Sequence, residues 1–164
     1  MRVGLTRRVA TTRRISLKAQ QPSRNGGYES CSFAGMANEI TSYRDLEVWQ
    51  LAMELADLVY DMTENFPARE RFALAQQMRK AAVSIPSNIA EGTRHRTAGY
   101  LARVIIALGE HAELETQELL VVRRRFIGPD LNHRFVDLAE SVGRLAHGLA
   151  RSLEMRLGQQ GKRR

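Results

Sequence analysis

Residues Ser84 to Gly92 read SIPSNIAEG, and they decide how the rest of the sequence is interpreted. They continue an apolar pattern with helical spacing, yet they include Pro86, which removes a backbone hydrogen bond at a cost of about 3 kcal/mol in a free helix. At about 100° per residue, the polar residues of this region fall on one flank of the helix, beside its apolar seam. We therefore expect a helix kinked near Ala82 to Pro86, with a polar flank made of Gln77, Ser84, Asn88, Glu91 and His95.

The polar flank has two interpretations. In the first it is a polar binding groove. In the second it is structural, because its side chains satisfy backbone groups freed by the proline and hydrogen-bond to a neighbouring helix. Burying such groups unpaired would cost about 1 to 3 kcal/mol each, which favours the structural interpretation. The residues given this structural role are Gln77, Ser84, Pro86, Asn88, Glu91 and Gly92.

Apolar seams on both sides of this stretch predict four helices. Helix one follows a capping box of Ser42 and Asp45 and runs to about Phe66; helix two begins near Arg69, helix three at Thr97 and helix four after Pro129. The seams are Leu46, Trp49, Met53, Ala56 and Tyr60; Ala75, Met78, Ala82, Ile85 and Ile89; Leu101, Ile105, Leu108, Ala112, Leu119 and Val122; and Leu131, Phe135, Leu138, Val142, Leu145 and Leu149. Short connections between them imply an all-α fold, an up-down-up-down antiparallel four-helix bundle.

Helix one is apolar over more than one seam. Further apolar residues widen its face: Leu51, Leu55, Leu58, Val59 and Met62. A helix of this kind contacts more than one neighbour, either within its own bundle or in another subunit. Its remaining face carries only acids, which we interpret as solvated: Glu47, Glu54, Asp57, Asp61 and Glu64.

The two ends of the chain differ from the bundle in composition and charge. Residues 1–41 show no periodicity, which predicts a disordered basic tail, and we expect translation to begin at Met36. The bundle is predicted over 42–158 and a basic C-terminal tail over 159–164. The net charge of +7 lies in the tails, because residues 1–42 carry +5 and residues 162–164 carry +3. The charge between them is therefore close to −1, and a nucleic-acid interface has to rest on local clusters.

The sequence offers little support for catalysis. Cys31 is the single cysteine, and the sequence has no glycine-rich phosphate loop, no Gly-x-Ser-x-Gly and no His-Glu-x-x-His. A di-metal bundle site needs Glu-x-x-His on two helices, and none of the histidines of helices two to four follows a glutamate by three. A metal-dependent enzyme would require His111, Glu113 and Glu115 to converge with the acids of helix one. We predict no enzyme activity, no cofactor, no metal and no membrane association, and a cytoplasmic protein.

Two basic clusters are candidates for binding nucleic acid. One surrounds the turn between helices two and three and consists of Arg94, Arg96 and Arg103; the other, at the end of helix three, consists of Arg123, Arg124 and Arg125. A helix of about 30 residues is about 45 Å long, so the clusters lie at opposite ends of one monomer. A ring of subunits would repeat each cluster and build a basic rim for contacts to phosphates.

The segment from Tyr43 to Gly92 resembles the four-helix bundle protein family first described as products of intervening sequences in bacterial 23S rRNA genes. The residues that carry the resemblance are Leu46, Val48, Trp49, the Phe66-Pro67 pair, Glu70 to Phe72, Gln77 and the SIPSNIAEG block, with Gly109 and the region of Glu113 as a second block. The resemblance covers roughly residues 42–155. It implies a bacterial bundle that assembles as a homopentamer, and kinship to accessory proteins of diversity-generating retroelements, which bind nucleic acid and a reverse transcriptase.

Two functions stay open at this point. One is a non-enzymatic oligomeric bundle that binds RNA, DNA or a ribonucleoprotein partner such as a reverse transcriptase through its basic clusters. The other is a scaffold or assembly module that contacts only protein. In the second case the arginines serve as helix-end charges and solubilising groups.

Overall fold

The computed structural model describes residues 41–162, and the predicted disorder of residues 1–40 and the predicted start at Met36 lie outside the described residues. Four helices make up most of this part of the chain: α1 (Glu47–Glu64), α2 (Leu74–Gly92), α3 (Thr97–Arg123) and α4 (Pro129–Gly161). Residues 41–162 contain no strand. Each helix packs against the next along the chain, and α4 also packs against α1. The predicted all-α, up-down-up-down bundle is confirmed.

The capping box before α1 forms as predicted but caps a different element. The Ser42 hydroxyl accepts from the Arg44 backbone N–H, and the Asp45 carboxylate accepts from the Ser42 backbone N–H at 2.8 Å. The bond from the Ser42 N–H, with two more from the Thr41 hydroxyl and N–H, holds the pKa of Asp45 below its usual value. The box closes a short 3₁₀ turn, Tyr43–Asp45, and α1 begins after it because Leu46 is extended.

Helix α2 begins at Leu74, later than the predicted start near Arg69. Residues Ala68–Glu70 form a separate 3₁₀ turn, in which the Glu70 backbone N–H donates to the Pro67 carbonyl at 2.8 Å. Ala73 then adopts a non-helical conformation with φ −114° and ψ −103°. The prediction was wrong because helix-forming residues occupy both sides of this break.

The predicted seams of α2 and α4 face the core. All five seam residues of α2 are buried, and α2 continues through the buried Pro86 as one helix. In α4, Phe135 and Val142 are buried and the other seam residues are half-buried against the same core. α4 continues to Gly161, past the predicted bundle boundary at 158.

The predicted seams of α1 and α3 form only part of the core: Ala56 is buried, and Leu46, Trp49, Leu101 and Leu108 are half-buried against it. In α1 the core residues are Val48, Ala52, Leu55, Ala56, Leu58, Val59 and Met62, whereas Met53 and Tyr60 are exposed. In α3 the core is built on Val104, Ala107, Leu114 and Val121, whereas Ile105, Ala112, Leu119 and Val122 are exposed. Both predictions were wrong in part, for one physical reason: each helix is apolar on two faces, and periodicity does not say which face is internal.

A histidine joins α3 to α4 inside the bundle. His111 is buried, and its Nε2 lies 2.8 Å from the Ala139 carbonyl oxygen of α4. Gly143 makes room for the ring, because a Cβ at that position would lie 3.0 Å from His111 Cε1. The other ring nitrogen, Nδ1, lies 3.2 Å from the Glu115 carboxylate. This polar residue is thus part of the packing between two helices.

Candidate nucleic-acid interface

The first basic cluster lies on the turn that joins α2 to α3. The turn is closed by backbone bonds of 3.0 Å from Arg94 to the Glu91 carbonyl and from His95 to the Gly92 carbonyl. Arg94 and Arg96 are exposed, and Arg96 is the N-cap residue of α3 without a side-chain cap. No carboxylate of residues 41–162 lies within 4.0 Å of either guanidinium. Both charges are available to a partner as far as the described residues go.

Arg103 differs from the other arginines of this cluster because it is paired. Its Nη2 lies 2.7 Å from Glu91 Oε1, and His95 Nε2 lies 3.8 Å from the same oxygen. Since both partners are more than a third exposed, the pair contributes about 0 to 1 kcal/mol. It links α2 to α3 and partly neutralises the cluster. Sequence reasoning missed this pair because it joins residues on different helices.

The second cluster forms the C-terminal cap of α3. The Phe126 N–H donates to the Val121 carbonyl at 3.1 Å and the Arg125 N–H donates to the Val122 carbonyl at 2.9 Å, which is the Schellman pattern. The pattern requires a left-handed residue, and Arg125 supplies it with φ 57°. Glycine usually takes this position, because a side chain there costs about 1 to 2 kcal/mol.

The turn at Arg125 presents three guanidinium groups in succession. Arg123, Arg124 and Arg125 are all exposed, and within residues 41–162 no acid lies within 4.0 Å of them. Helix α3 has 27 residues, about 40 Å at 1.5 Å per residue. The two clusters therefore lie at opposite ends of α3, and one monomer does not join them into a single footprint.

The polar residues of SIPSNIAEG have partners on the protein itself. Asn88 is 8% exposed and its Nδ2 donates to the Ser84 carbonyl at 2.9 Å and to the Ser84 hydroxyl at 3.1 Å. These bonds lie within α2, whereas Glu91 reaches α3 through Arg103. Gln77 is exposed. Ser84, Asn88 and Glu91 thus pair within the protein, an arrangement that fits the structural interpretation.

Gly92 has a packing role that the sequence did not indicate. A Cβ on Gly92 would lie 2.7 Å from Tyr100 Cε2 and closer still to Cδ2. Glycine at position 92 therefore lets the edge of the Tyr100 ring approach the end of α2 closely. The ring's hydroxyl oxygen is buried and has no hydrogen-bond partner among the described residues.

A groove between α1 and α4 is lined by acids of both helices. These acids are Glu54, Asp57 and Asp61 of α1 and Asp137 of α4, and Arg134 lies beside them. In the described part of the chain, no group of three or more His, Cys, Asp or Glu side chains is placed to hold a metal ion. Both His111 nitrogens already face oxygen atoms of the protein. None of the helices in residues 41–162 is long and apolar enough to span a membrane.

The fold and the exposed arginines define a small four-helix bundle with basic helix ends. The model of the 23S rRNA-intervening sequence protein family matches residues 44–148, so the chain belongs to that family. A crystal structure of a protein of unknown function from the S23 ribosomal protein family of Bacteroides thetaiotaomicron VPI-5482 has the same fold, with a TM-score of 0.59 and 20% identity over 63% of this chain and 95% of that one. No curated protein matches the chain.

Proposed function

We propose that the protein is a non-enzymatic subunit of a homo-oligomer that binds nucleic acid through its basic helix ends. The observation that carries this proposal is the second apolar face of α3. Residues spaced alternately four and three apart are all exposed along it: Ala98, Ala102, Ile105, Gly109, Ala112, Thr116 and Leu119. This is the spacing of a helix-packing seam, and its small residues permit close approach of another helix. We call these residues the α3 ridge.

A complementary surface lies on a different side of the bundle. The outer faces of α1 and α2 enclose an apolar groove of about 280 Å³, lined by Trp49, Met53, Tyr60, Val83, Pro86 and Ala90. Helices α1 and α3 lie diagonally across the bundle, since α2 and α4 separate them. A ridge and a groove on different sides favour head-to-tail contacts between copies, and such contacts form a ring when the rotation between successive copies closes. The pentamer implied by the family resemblance is one such ring.

Assembly would give the arginines their function. One subunit carries its clusters about 40 Å apart and has a nearly neutral bundle, which is a weak footprint for a polyanion. In a ring, each copy of Arg123 to Arg125 lies at an equivalent position around the axis. Such a rim contacts phosphates without reading base sequence.

Light scattering on the full chain tests the assembly. We expect a mass above that of the monomer, and Ile105→Arg should shift it to the monomer because a charge replaces an apolar side chain on the α3 ridge. Val136→Arg is the matched control, since Val136 is an exposed apolar residue of α4 outside the ridge and the groove. A monomeric unsubstituted chain, or equal effects of both substitutions, would contradict the proposal.

Gel retardation tests nucleic-acid binding on residues 36–161, because the basic tails bind any polyanion. This truncation removes none of the described core, which extends from Val48 to Leu153. Binding should weaken steeply with salt, with a log-log slope of about 0.9 per phosphate contact on duplex DNA and about 0.7 on single strands. Replacing Arg123, Arg124 and Arg125 by Gln should reduce that slope if the cluster at the end of α3 contacts the phosphates. Replacing Arg94, Arg96 and Arg103 by Gln should reduce it if the cluster at the α2–α3 turn does.

The alternative is a scaffold that contacts only protein. The pairing of Arg103 with Glu91 favours it, because that arginine then acts as a tie between helices and offers less free charge. Absence of retardation by the trimmed oligomer at about 50 mM salt would decide for the scaffold.

A further inference from the structure

A second cleft lies at the end of the bundle where α2 passes into α3. It has a volume of about 740 Å³, within the usual range of about 300 to 1,000 Å³ for small-molecule sites. The residues before α1, the α2–α3 turn and the second half of α4 enclose it. Its lining residues are Thr41, Ser42, Tyr43, Leu46, Thr93, Arg94, Tyr100, Leu149, Ser152, Leu153 and Arg156. We call it the end cleft.

The charge of the end cleft selects an anion. Its lining includes Arg94 and Arg156 and no carboxylate, whereas the groove between α1 and α4 is lined by four acids and a single arginine. Within residues 41–162, no acid lies within 4.0 Å of either cleft arginine. Two unpaired guanidinium groups on one cleft are suited to a phosphate, to which arginine donates two parallel hydrogen bonds.

Tyr100 adds a hydroxyl group that lacks a partner. Its ring is held against Gly92, where any larger residue would collide with it. Burial raises the pKa of the Tyr100 hydroxyl, and the positive charge of Arg156, which lines the same cleft, lowers it by a smaller amount. The hydroxyl is therefore a neutral donor. A buried donor without an acceptor is unfavourable, and a hydrogen bond to a ligand oxygen would satisfy it.

The rest of the cleft is apolar and aromatic. Its lining includes Leu46, Leu149, Leu153 and the side chain of Tyr43. The Tyr43 ring makes an edge contact with Trp49, at a centroid distance of 5.2 Å. Apolar and aromatic side chains of this kind suit a flat ring system, and a phosphate attached to that ring system would contact the arginines.

We propose that the end cleft binds a nucleoside monophosphate unit, with the phosphate on Arg94, Arg156 and the Tyr100 hydroxyl and the base against Tyr43 and the leucines. The unit is either a free 5′-mononucleotide or the 5′-phosphorylated end of a strand. The choice of a nucleotide among organic phosphates rests on the proposed function. The site itself does not require assembly, since one chain supplies every lining residue.

Trp49 provides the measurement, because it is the only tryptophan and touches the Tyr43 ring of the cleft. AMP titrated into the full chain should change its fluorescence saturably. Tyr100→Phe and Arg156→Gln should each weaken AMP binding about tenfold or more, as expected for loss of a hydrogen bond to a charged group. Arg144→Gln is the matched control, being an exposed arginine of α4 outside the cleft. Circular dichroism confirms that the variants fold.

Further probes separate the possible ligands. Ribose 5-phosphate and inorganic phosphate should bind more weakly than AMP; equal binding of inorganic phosphate would reduce the cleft to a simple anion site and overturn the proposal. A short single strand with a 5′-phosphate should compete with AMP better than the same strand without it if strand ends are the natural ligand. A free nucleotide is the ligand if the two strands compete equally poorly.

The proposed function and the end cleft can fail separately. Saturable AMP binding that depends on Tyr100 and Arg156, in a protein that does not retard nucleic acid, would support the cleft and contradict the proposed function. Retardation of nucleic acid without any response to AMP up to millimolar concentration would support the proposed function and contradict the proposal for the end cleft. A cleft filled by the chain's own residues 1–40 gives no response to any probe, which also overturns the proposal.

Discussion

Helices α2 and α3 pack side by side, yet an exposed apolar seam runs along the length of only one of them, α3. In α2 the apolar seam is buried throughout, and the polar residues beside it bond within α2 or to α3. In α3 two apolar seams run along the helix, one internal and one exposed. The difference shows that periodicity identifies an apolar face, but that it assigns this face to the core only when the helix has no second apolar face. The exposed apolar face of α3 therefore supports the proposed self-association more strongly than any surface of α2 does.

Two leucines of α3 give the sharpest test of this difference. Leu114 is 0% exposed and Leu119 is 57% exposed. Leu114→Ala should lower the free energy of unfolding by about 2 to 5 kcal/mol, because it leaves a cavity in the core. Leu119→Ala should change monomer stability by less than about 0.5 kcal/mol and instead weaken self-association. Urea unfolding measures the first effect and concentration-dependent light scattering the second; similar losses of monomer stability would mean that α3 has no free face.

Asn88 tests whether the polar flank of α2 is structural. Asn88→Ala should destabilise the protein by about 1 to 3 kcal/mol, because it removes two hydrogen bonds from a buried position beside Pro86. Ser87→Ala is the control, since Ser87 is an exposed neighbour with one bond to its own helix. Thermal unfolding measures both. Unchanged stability together with lost nucleic-acid binding would make the flank a functional groove.

Gly92 and Gly109 differ in their surroundings, since the first is closely packed and the second lies on an open surface. Nothing lies within 4 Å of a Cβ on Gly109, which is exposed on the α3 ridge, whereas a Cβ on Gly92 would meet Tyr100. Gly109→Ala should stabilise the monomer by about 0.5 to 1 kcal/mol, the usual helix preference for alanine. Gly92→Ala should destabilise it, because the Tyr100 ring has to move. A destabilising Gly109→Ala in a monomeric background would show that the ridge is packed within the subunit.

Glu118 gives the smallest expected effect, and it appears as a dependence on pH. Glu118 is 5% exposed, and burial together with the nearby Glu115 raises its pKa above 4.5. The folded state then holds a proton that the unfolded state releases, so stability falls as pH rises from the ordinary carboxyl pKa through the raised one. Glu118→Gln should raise the melting temperature at neutral pH, and the gain should shrink below the ordinary pKa. Glu140→Gln, on the exposed side of α4, should show no such trend.

The fold could be predicted from the sequence because four helices with apolar seams, joined by short connections, pack as antiparallel neighbours. It was insufficient for the interior of α3, where His111 and Glu118 take core positions that an apolar pattern excludes. The arginine clusters could be located from sequence alone because charge at helix ends is local. The Glu91 to Arg103 pair and the position of the Tyr100 hydroxyl could not, since each depends on how α2 and α3 pack together.

The contact between His111 and Gly143 also restricts how this sequence can change over evolutionary time. A larger residue at 143 would require the imidazole to shift, because a Cβ there would lie 3.0 Å from His111 Cε1, while a smaller residue at 111 would only leave space. The two positions therefore change in a fixed order, with 111 shrinking before 143 grows. Homologues should carry either a large residue at 111 with glycine at 143 or the reverse exchange, and intermediate sequences should be small at both.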